Sequence, residues 1–432
     1  MKFWDDFIYF FSFQDANISN VFFGTLILGF TCGIVGVLVV LNKKALIVDA
    51  VSHSVLPGVC LGFMLSGVKN PIYLIAGGMF AGAIAVFLVD WLTKISRIKK
   101  DAAIAIALSV LFSLGVILLS IIQHSGNSQQ SGLSDFLFGK AATIVRKDLY
   151  LFCGLCGLVL GVVILFYRHF KIALFDQGFA NTIGLNNKLV QSLISGLIIV
   201  STAIGIQTVG IILMSALIIT PASSAFFWTN HFKKSILLSG AFAALSSILG
   251  VFVSYLFPDM PTGPWIIVVL STIAILSALL SRKGLITKKI MGIQNRNKII
   301  SDNVLKTLYK LGEHKNQFDQ SYSVQMIQNF HPFASFDLSK GLSILKRKKF
   351  VIEANGAWTL TEKGIAEAKR IIRIHRLWEL YMEKFMQIQS DHVHESAESI
   401  EHIMTKSLET ELLKTLGRPT SDPHQQNIPY ED

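Results

Sequence analysis

The sequence predicts an all-α polytopic membrane bundle of about nine transmembrane helices, followed by a soluble winged helix-turn-helix that continues into further helices. Three observations carry this expectation. Only 16% of the 432 residues are charged, against about 25% in ordinary soluble domains. Apolar runs recur from about residue 20 to residue 280, each near the ~20 residues a helix needs to cross ~30 Å of hydrocarbon. From Ser281 onward Lys, Glu, Asp, His and Gln become common. The composition break near residue 285 divides a membrane domain, 1–285, from a soluble domain, 286–432.

The expected spans are 21–41, 50–67, 72–95, 102–122, 149–167, 189–207, 209–227, 235–257 and 264–281. The second is short and contains Pro57, which points to a broken or re-entrant segment. The sixth and seventh nearly merge at Gln207 and Thr208. The aromatic N-terminus, interrupted by Asp5, Asp6 and Asp15, has the pattern of an amphipathic helix on a membrane surface.

The net charge of +11 fits either a nucleic-acid binder or the positive-inside bias of a membrane protein. Much of the excess lies in short loops between spans: Lys43-Lys44, 94–100, 168–171, 231–234 and 282–289. With the N-terminus outside, all five loops face the cytoplasm, and so does the soluble domain. The protein is expected in a membrane, among membrane lipid. Cys32, Cys60, Cys153 and Cys156 all sit in apolar runs and read as packing residues, without a disulfide framework or zinc-ligand spacing.

Ionisable residues inside a membrane are costly and mark function by default. Asp49 and His53 are four apart, so one helix face carries both. A carboxylate and an imidazole so placed can share a divalent cation. The alternative is an interfacial Asp49 beside Lys43 and Lys44, with His53 hydrogen-bonded to another helix. Asp90 reads as an interfacial charge. The span 209–229, rich in Gly, Ala, Ser and Thr, suits close helix packing, and Pro221 removes one rung of its ladder. The inner loop 169–187 carries Phe175, Phe179 and Ile183 at helical spacing. It suits a short helix lying on the membrane or docking a partner.

Three segments in this order, DAVSHSVLPGVCLGF, FDQGFANTIGL and VGIILMSALIITPASSA, resemble the permeases of the zinc, manganese and iron ABC transporter family over residues 18–283. The resemblance implies a homodimer or paired permease in the cytoplasmic (inner) membrane of a bacterium, a separate cytoplasmic ABC ATPase and an extracytoplasmic metal-binding protein. It makes Asp49 and His53 pathway ligands for manganese, iron or zinc, and the stretch from Phe175 to Leu185 the ATPase-docking element. No GxxxxGK[ST] motif occurs, so no nucleotide is expected on this chain and it is not expected to be an enzyme.

In the soluble tail, Val304, Leu305, Leu308 and Leu311 form an apolar stripe that predicts a helix over 301–314 with Ser301 as its N-cap. Further helices are expected over 323–330 and 336–350, then a hairpin turning at Asn355-Gly356. Three helices and a hairpin make a winged helix-turn-helix. A long amphipathic helix follows, with His375 and Glu379 at i, i+4. After it come His394, Glu398, Glu401 and His402, whose spacing puts two imidazoles and two carboxylates near one helix face. That donor set suits manganese, iron or zinc.

The segments WTLTEKG, RIHRLWELY, DHVHESAESIEHIM and GRPTSDPHQQNIP resemble the diphtheria toxin repressor family of metal-dependent regulators over residues 300–430. The resemblance implies a helical metal-binding and dimerisation domain. It also implies two neighbouring metal sites that draw on His375, Glu379, His394, Glu398, Glu401 and His402. The sequence departs from the family at Asn303 and Lys306, where further ligands are expected. Asn is a weaker ligand, and an ammonium cannot coordinate. The third helix still carries Ser339, Lys340, Ser343, Lys346 and Arg347, residues suited to phosphate contact with DNA. The leading expectation is a metal importer's permease with a metal-sensing tail. The alternative is a metal-dependent DNA-binding regulator, anchored to the membrane or released from it by proteolysis.

Overall fold

A computed structural model of the chain describes residues 2–68, 70–124, 139, 144–257, 260–315, 317–386, 404 and 406–430. The chain divides into two compact units, Met1–Thr287 and Lys288–Asp432.

The first unit is helical throughout. It begins with α1 (Lys2–Ser12), α2 (Ala16–Leu41), α3 (Ala45–Ser66), α4 (Pro71–Ile95), α5 (Lys100–His124) and α6 (Arg146–Leu165). Two short helices follow, α7 (Tyr167–Phe175) and α8 (Gln177–Thr182). The unit closes with α9 (Asn187–Val209), α10 (Ile211–Trp228), α11 (Phe232–Leu256) and α12 (Thr262–Leu280). Among the described residues, nine of these helices are long and apolar enough to cross a bilayer: α2 to α6 and α9 to α12.

Local chemistry sets their ends. Asp15 accepts the backbone N–H of Asn17 at 2.7 Å and caps α2. Asn70 accepts that of Ile72 at 3.0 Å and caps α4, with Pro71 at the first helical position, where its missing N–H goes unused. Gly67 ends α3 in the left-handed conformation, at φ +66°. The glycine that separates α9 from α10, Gly210, has φ 89° and ψ 163°, a region that side chains avoid.

Pro57 does not break the second span. The helix α3 runs unbroken from Ala45 to Ser66 with Pro57 inside it. The reason is tertiary packing. Gly115 of α5 lies so close to Pro57 that a Cβ there would sit 2.8 Å from the ring. A kink that opened the helix at this point would strike α5. Pro221 is likewise carried inside an unbroken α10.

Small residues let the backbones meet. A Cβ on Gly58 would lie 2.0 Å from the carbonyl oxygen of Gly77, and one on Gly77 would lie 2.2 Å from that of Gly58, so α3 and α4 touch backbone to backbone. The same holds for Gly33 of α2 against Ser239 of α11, and for Gly36 of α2 against Ile218 of α10. The Ser239 hydroxyl donates to the Gly33 carbonyl at 2.5 Å. At the N-terminus, α1 buries Phe10 against Phe22, Phe252 and Tyr255 while Trp4 and Ile8 stay exposed.

The second unit holds most of α13 (Leu285–Lys315), then β1 (Tyr322–Ser323), α14 (Val324–Phe330), α15 (Ser335–Arg347), β2 (Val351–Ala354), β3 (Ala357–Leu360), α16 (Glu362–Met386) and α17 (Lys406–Leu416). The sheet order is β1-β3-β2, antiparallel throughout. The β2–β3 turn is Asn355-Gly356 with φ of 51° and 77°, as a two-residue hairpin requires. The winged arrangement therefore appears as expected, with one correction. Ser301 is not a cap. It lies within α13, buried, and its hydroxyl bonds back to the Lys298 carbonyl at 2.9 Å. The helix starts well upstream because nothing between Leu285 and Ser301 interrupts it. Val304, Leu305, Leu308, Leu338, Leu342, Trp358 and Leu360 form the core of this winged part.

Replacing Gly58 by Val forces the α3–α4 contact apart and is expected to cost roughly 1–3 kcal/mol. The detergent-purified variant should melt at a lower temperature than the parent, and an unchanged melting temperature would contradict the backbone contact.

Candidate metal sites

Asp49 lies in the second turn of α3 and His53 one turn further along. The His53 Nε2 to Asp49 Oδ1 distance is 3.8 Å, with side-chain exposures of 19% and 43%. That is too long for a hydrogen bond. It is shorter than two metal–ligand bonds of about 2.0–2.2 Å laid end to end, so a single ion can touch both. The His53 ring stands edge-on to Phe112 of α5, centroids 5.0 Å apart. Its Nδ1 is buried and has no hydrogen-bond partner among the described residues. An ion held between the two side chains would bind Nε2, the nitrogen that faces Asp49, and Nδ1 would then carry the ring proton.

Lys44 does not neutralise Asp49 by a direct ion pair. Its ammonium donates to the Ser195 hydroxyl at 3.1 Å and the Gln191 carbonyl at 3.4 Å, both on α9. Burial, reinforced by Lys100 and opposed by Asp90, pushes the Lys44 amine down to about 8. Asn42 and Gln191 exchange reciprocal side-chain hydrogen bonds beside it, at 2.8 and 3.0 Å. This end of the bundle is therefore pinned by its own polar network, which leaves Asp49 facing His53. The spacing of the sequence did not reveal two further buried hydroxyls, Ser201 and Thr202 of α9, which also lack hydrogen-bond partners among the described residues. Asp90 is exposed near the end of α4, as expected of an interfacial charge.

The stretch from Phe175 to Leu185 forms an elbow between α7 and α8. Asp176 caps α8 by accepting the Phe179 N–H at 2.8 Å. Phe170, Ala173 and Ala180 are buried and anchor the elbow, while Phe175, Phe179 and Ile183 project as exposed apolar groups.

In the second unit, α16 brings His375 and Glu379 into contact, Nε2 to Oε1 3.0 Å. The other ring nitrogen, Nδ1, lies 3.1 Å from the Nζ of Lys306 on α13. The three side chains are almost fully buried, at 6%, 3% and 2% exposure for Lys306, His375 and Glu379. Both imidazole nitrogens are thus in contact with protein groups. His394, Glu398, Glu401 and His402 lie outside the described residues. Among the described residues, no three His, Cys, Asp or Glu side chains converge as a metal site.

Next to His375, Arg376 is the structural hub. It forms a two-pronged pair with Glu313 of α13 at 3.0 and 3.2 Å, and it reaches Gln426 Oε1 at 2.9 Å, the Asn427 carbonyl and Asp422. Arg373 binds Glu409 of α17 at 2.8 Å, and Arg370 binds it at 3.2 Å. On the winged part, Lys346 of α15 is held by Glu353 of β2 at 2.7 Å.

The geometry defines a polytopic membrane bundle with an aspartate–histidine pair on α3 and a winged-helix tail. The profile described as the ABC 3 transport family matches residues 14–281, and the chain belongs to that family. A second profile, the iron dependent repressor metal binding and dimerisation domain, matches residues 361–430. The manganese transport system membrane protein MntC of Bacillus subtilis is 35% identical over 378 residues, covering 87% of this chain and 86% of that protein. The zinc transport system membrane protein TroC of Treponema pallidum is 36% identical over 268 residues, covering 62% of this chain and 90% of that protein. Among solved structures, PsaBC from Streptococcus pneumoniae in complex with Fab is similar at a TM-score of 0.59 and 29% identity, covering 64% of this chain and 97% of that one.

Arg376→Ala strips the buried Asp422 carboxylate and Glu313 of their shared cation and is expected to destabilise the tail by about 3–5 kcal/mol. The expected readout is trypsin cleavage of the tail in the full chain at lower denaturant than in the parent. Arg376→Lys keeps the charge but loses the fork and should fall between the two.

Proposed function

We propose that this chain is the membrane permease of an ATP-driven importer for a divalent transition metal, with manganese, zinc and iron as the candidate cargo. The observation that carries the reading is the Asp49–His53 pair on α3, with His53 Nε2 turned toward Asp49 Oδ1 at 3.8 Å. The manganese and zinc permeases similar to it support the same cargo class. An extracytoplasmic binding protein delivers the ion, Asp49 and His53 receive it, and a separate cytoplasmic ATPase drives the bundle. The exposed Phe175, Phe179 and Ile183 on the α7–α8 elbow suit docking to that ATPase. A second permease copy completes the pathway.

The tail lies on the cytoplasmic side in this reading and answers to metal through His394, Glu398, Glu401 and His402. When internal metal is plentiful, it restrains transport. Support comes from the repressor-type metal-binding domain matched over residues 361–430 and from the donor chemistry of these four residues.

Asp49→Ala and His53→Ala should each lower ATP-driven uptake into vesicles at least tenfold while the folded protein remains. Near-normal uptake would return the pair to a packing role. For the tail, uptake should lose its sensitivity to preloaded internal metal in the Glu398, Glu401, His402 triple-Ala variant. Equal sensitivity in parent and variant would refute the sensor.

A further inference from the structure

We propose that the ammonium of Lys306 is a built-in cation that fills the His375–Glu379 position of the tail, so that α13 and α16 are joined there by the chain's own charge at every metal concentration. The argument starts from donor and acceptor capacity. A lysine ammonium can only donate. Its contact with His375 Nδ1, at 3.1 Å, therefore makes that nitrogen the acceptor. The ring proton then sits on Nε2, where it donates to Glu379 at 3.0 Å. The result is a file of ammonium, neutral imidazole and carboxylate in which both ring nitrogens are engaged. A metal needs an imidazole lone pair, and this ring has none left.

The surroundings make displacement harder. The adjoining cavity is about 50 Å³ and is lined by Lys306, Lys310 and Arg376 against the carboxylates of Glu379 and Asp422. One of those carboxylates is already committed. Asp422 accepts the backbone N–H groups of His424 and Gln426 at 2.9 and 2.8 Å and lies 3.6 Å from Arg376. A divalent ion entering this cavity would meet three cationic side chains, two of which, Lys306 and Arg376, are buried, where screening is weak. The position is thus specific for the tethered ammonium. Its physical effect is what a bridging metal would otherwise supply, a cation between the first helix of the winged part and the long helix α16.

Any metal response of the tail must then come from elsewhere in it. The inference holds whether or not His394, Glu398, Glu401 and His402 bind metal, and its test keeps the two apart. The detergent-solubilised full chain is equilibrated with Mn(II), and separately with Zn(II), and bound metal per chain is measured after desalting. His375→Ala should bind as much metal as the parent. Lys306→Glu should bind one additional ion per chain, and the gain should vanish in Lys306→Glu with His375→Ala. A parent that loses an ion on His375→Ala overturns the proposal, as does a Lys306→Glu variant with no gain. Chelator provides a further check: in the Glu398, Glu401, His402 triple-Ala variant, tryptic cleavage within α13 and α16 should be unchanged by it, and chelator-induced cleavage there would also overturn the proposal. In metal binding, that variant reports on the sensor alone. If it binds metal like the parent, the sensor reading fails and the Lys306 proposal stands.

Discussion

Helices inside a bilayer gain little by hiding apolar surface from one another, because lipid is as apolar as they are. What remains is close contact, and the first unit is organised around it. Gly58 meets Gly77, Gly33 meets Ser239 and Gly36 meets Ile218 at separations that leave no room for a Cβ. Dispersion accumulates only at such distances. These contacts hold α3 firmly enough that Pro57 stays within a continuous helix, with α5 packed over it at Gly115. The placement of His53 follows from that continuity. A break at Pro57 would let its turn of helix rotate and lose the edge-on contact with Phe112.

The two units treat buried charge in opposite ways. In the membrane unit, the buried His53 Nδ1 has no hydrogen-bond partner among the described residues. In the tail, almost every buried charge is matched. Arg376 gathers Glu313, Gln426, Asn427 and Asp422, and Arg373 shares Glu409 with Arg370. An incomplete polar set suits a ligand that comes and goes, whereas a complete one rigidifies.

Much of this was legible in the sequence, for identifiable reasons. Bilayer thickness fixes span length, so nine apolar runs announce nine helices. Their ends were less legible. Asp49 looked like a boundary of the second span, yet α3 begins at Ala45 and carries Asp49 within it. Ser301 has the right chemistry for a cap, but capping needs the helix to stop, and residues 285–300 contain no stop signal. The Asn355-Gly356 hairpin was readable because its backbone demands those residue types. That His53 Nδ1 and the hydroxyls of Ser201 and Thr202 lack partners among the described residues was not readable, since lacking a partner is a property of neighbours. Lys306 stood out in the sequence only as a residue that cannot ligate. Its bond to His375 Nδ1 required three-dimensional placement.

The backbone contact between Gly58 and Gly77 bears on motion as well as on stability. Two helices that touch carbonyl to Cα cannot part or roll without losing the contact altogether, so α3 and α4 travel as one body. Gly115 adds α5 to that body through Pro57, while Gly33 and Gly36 tie α2 to α11 and α10. Both α9, which packs against α2, α3 and α4, and α10, which packs against α2 and α3, bridge these two clusters. Asp49 and His53 lie one turn apart on α3, so a movement between the clusters would change what lies opposite the pair and leave the pair itself intact.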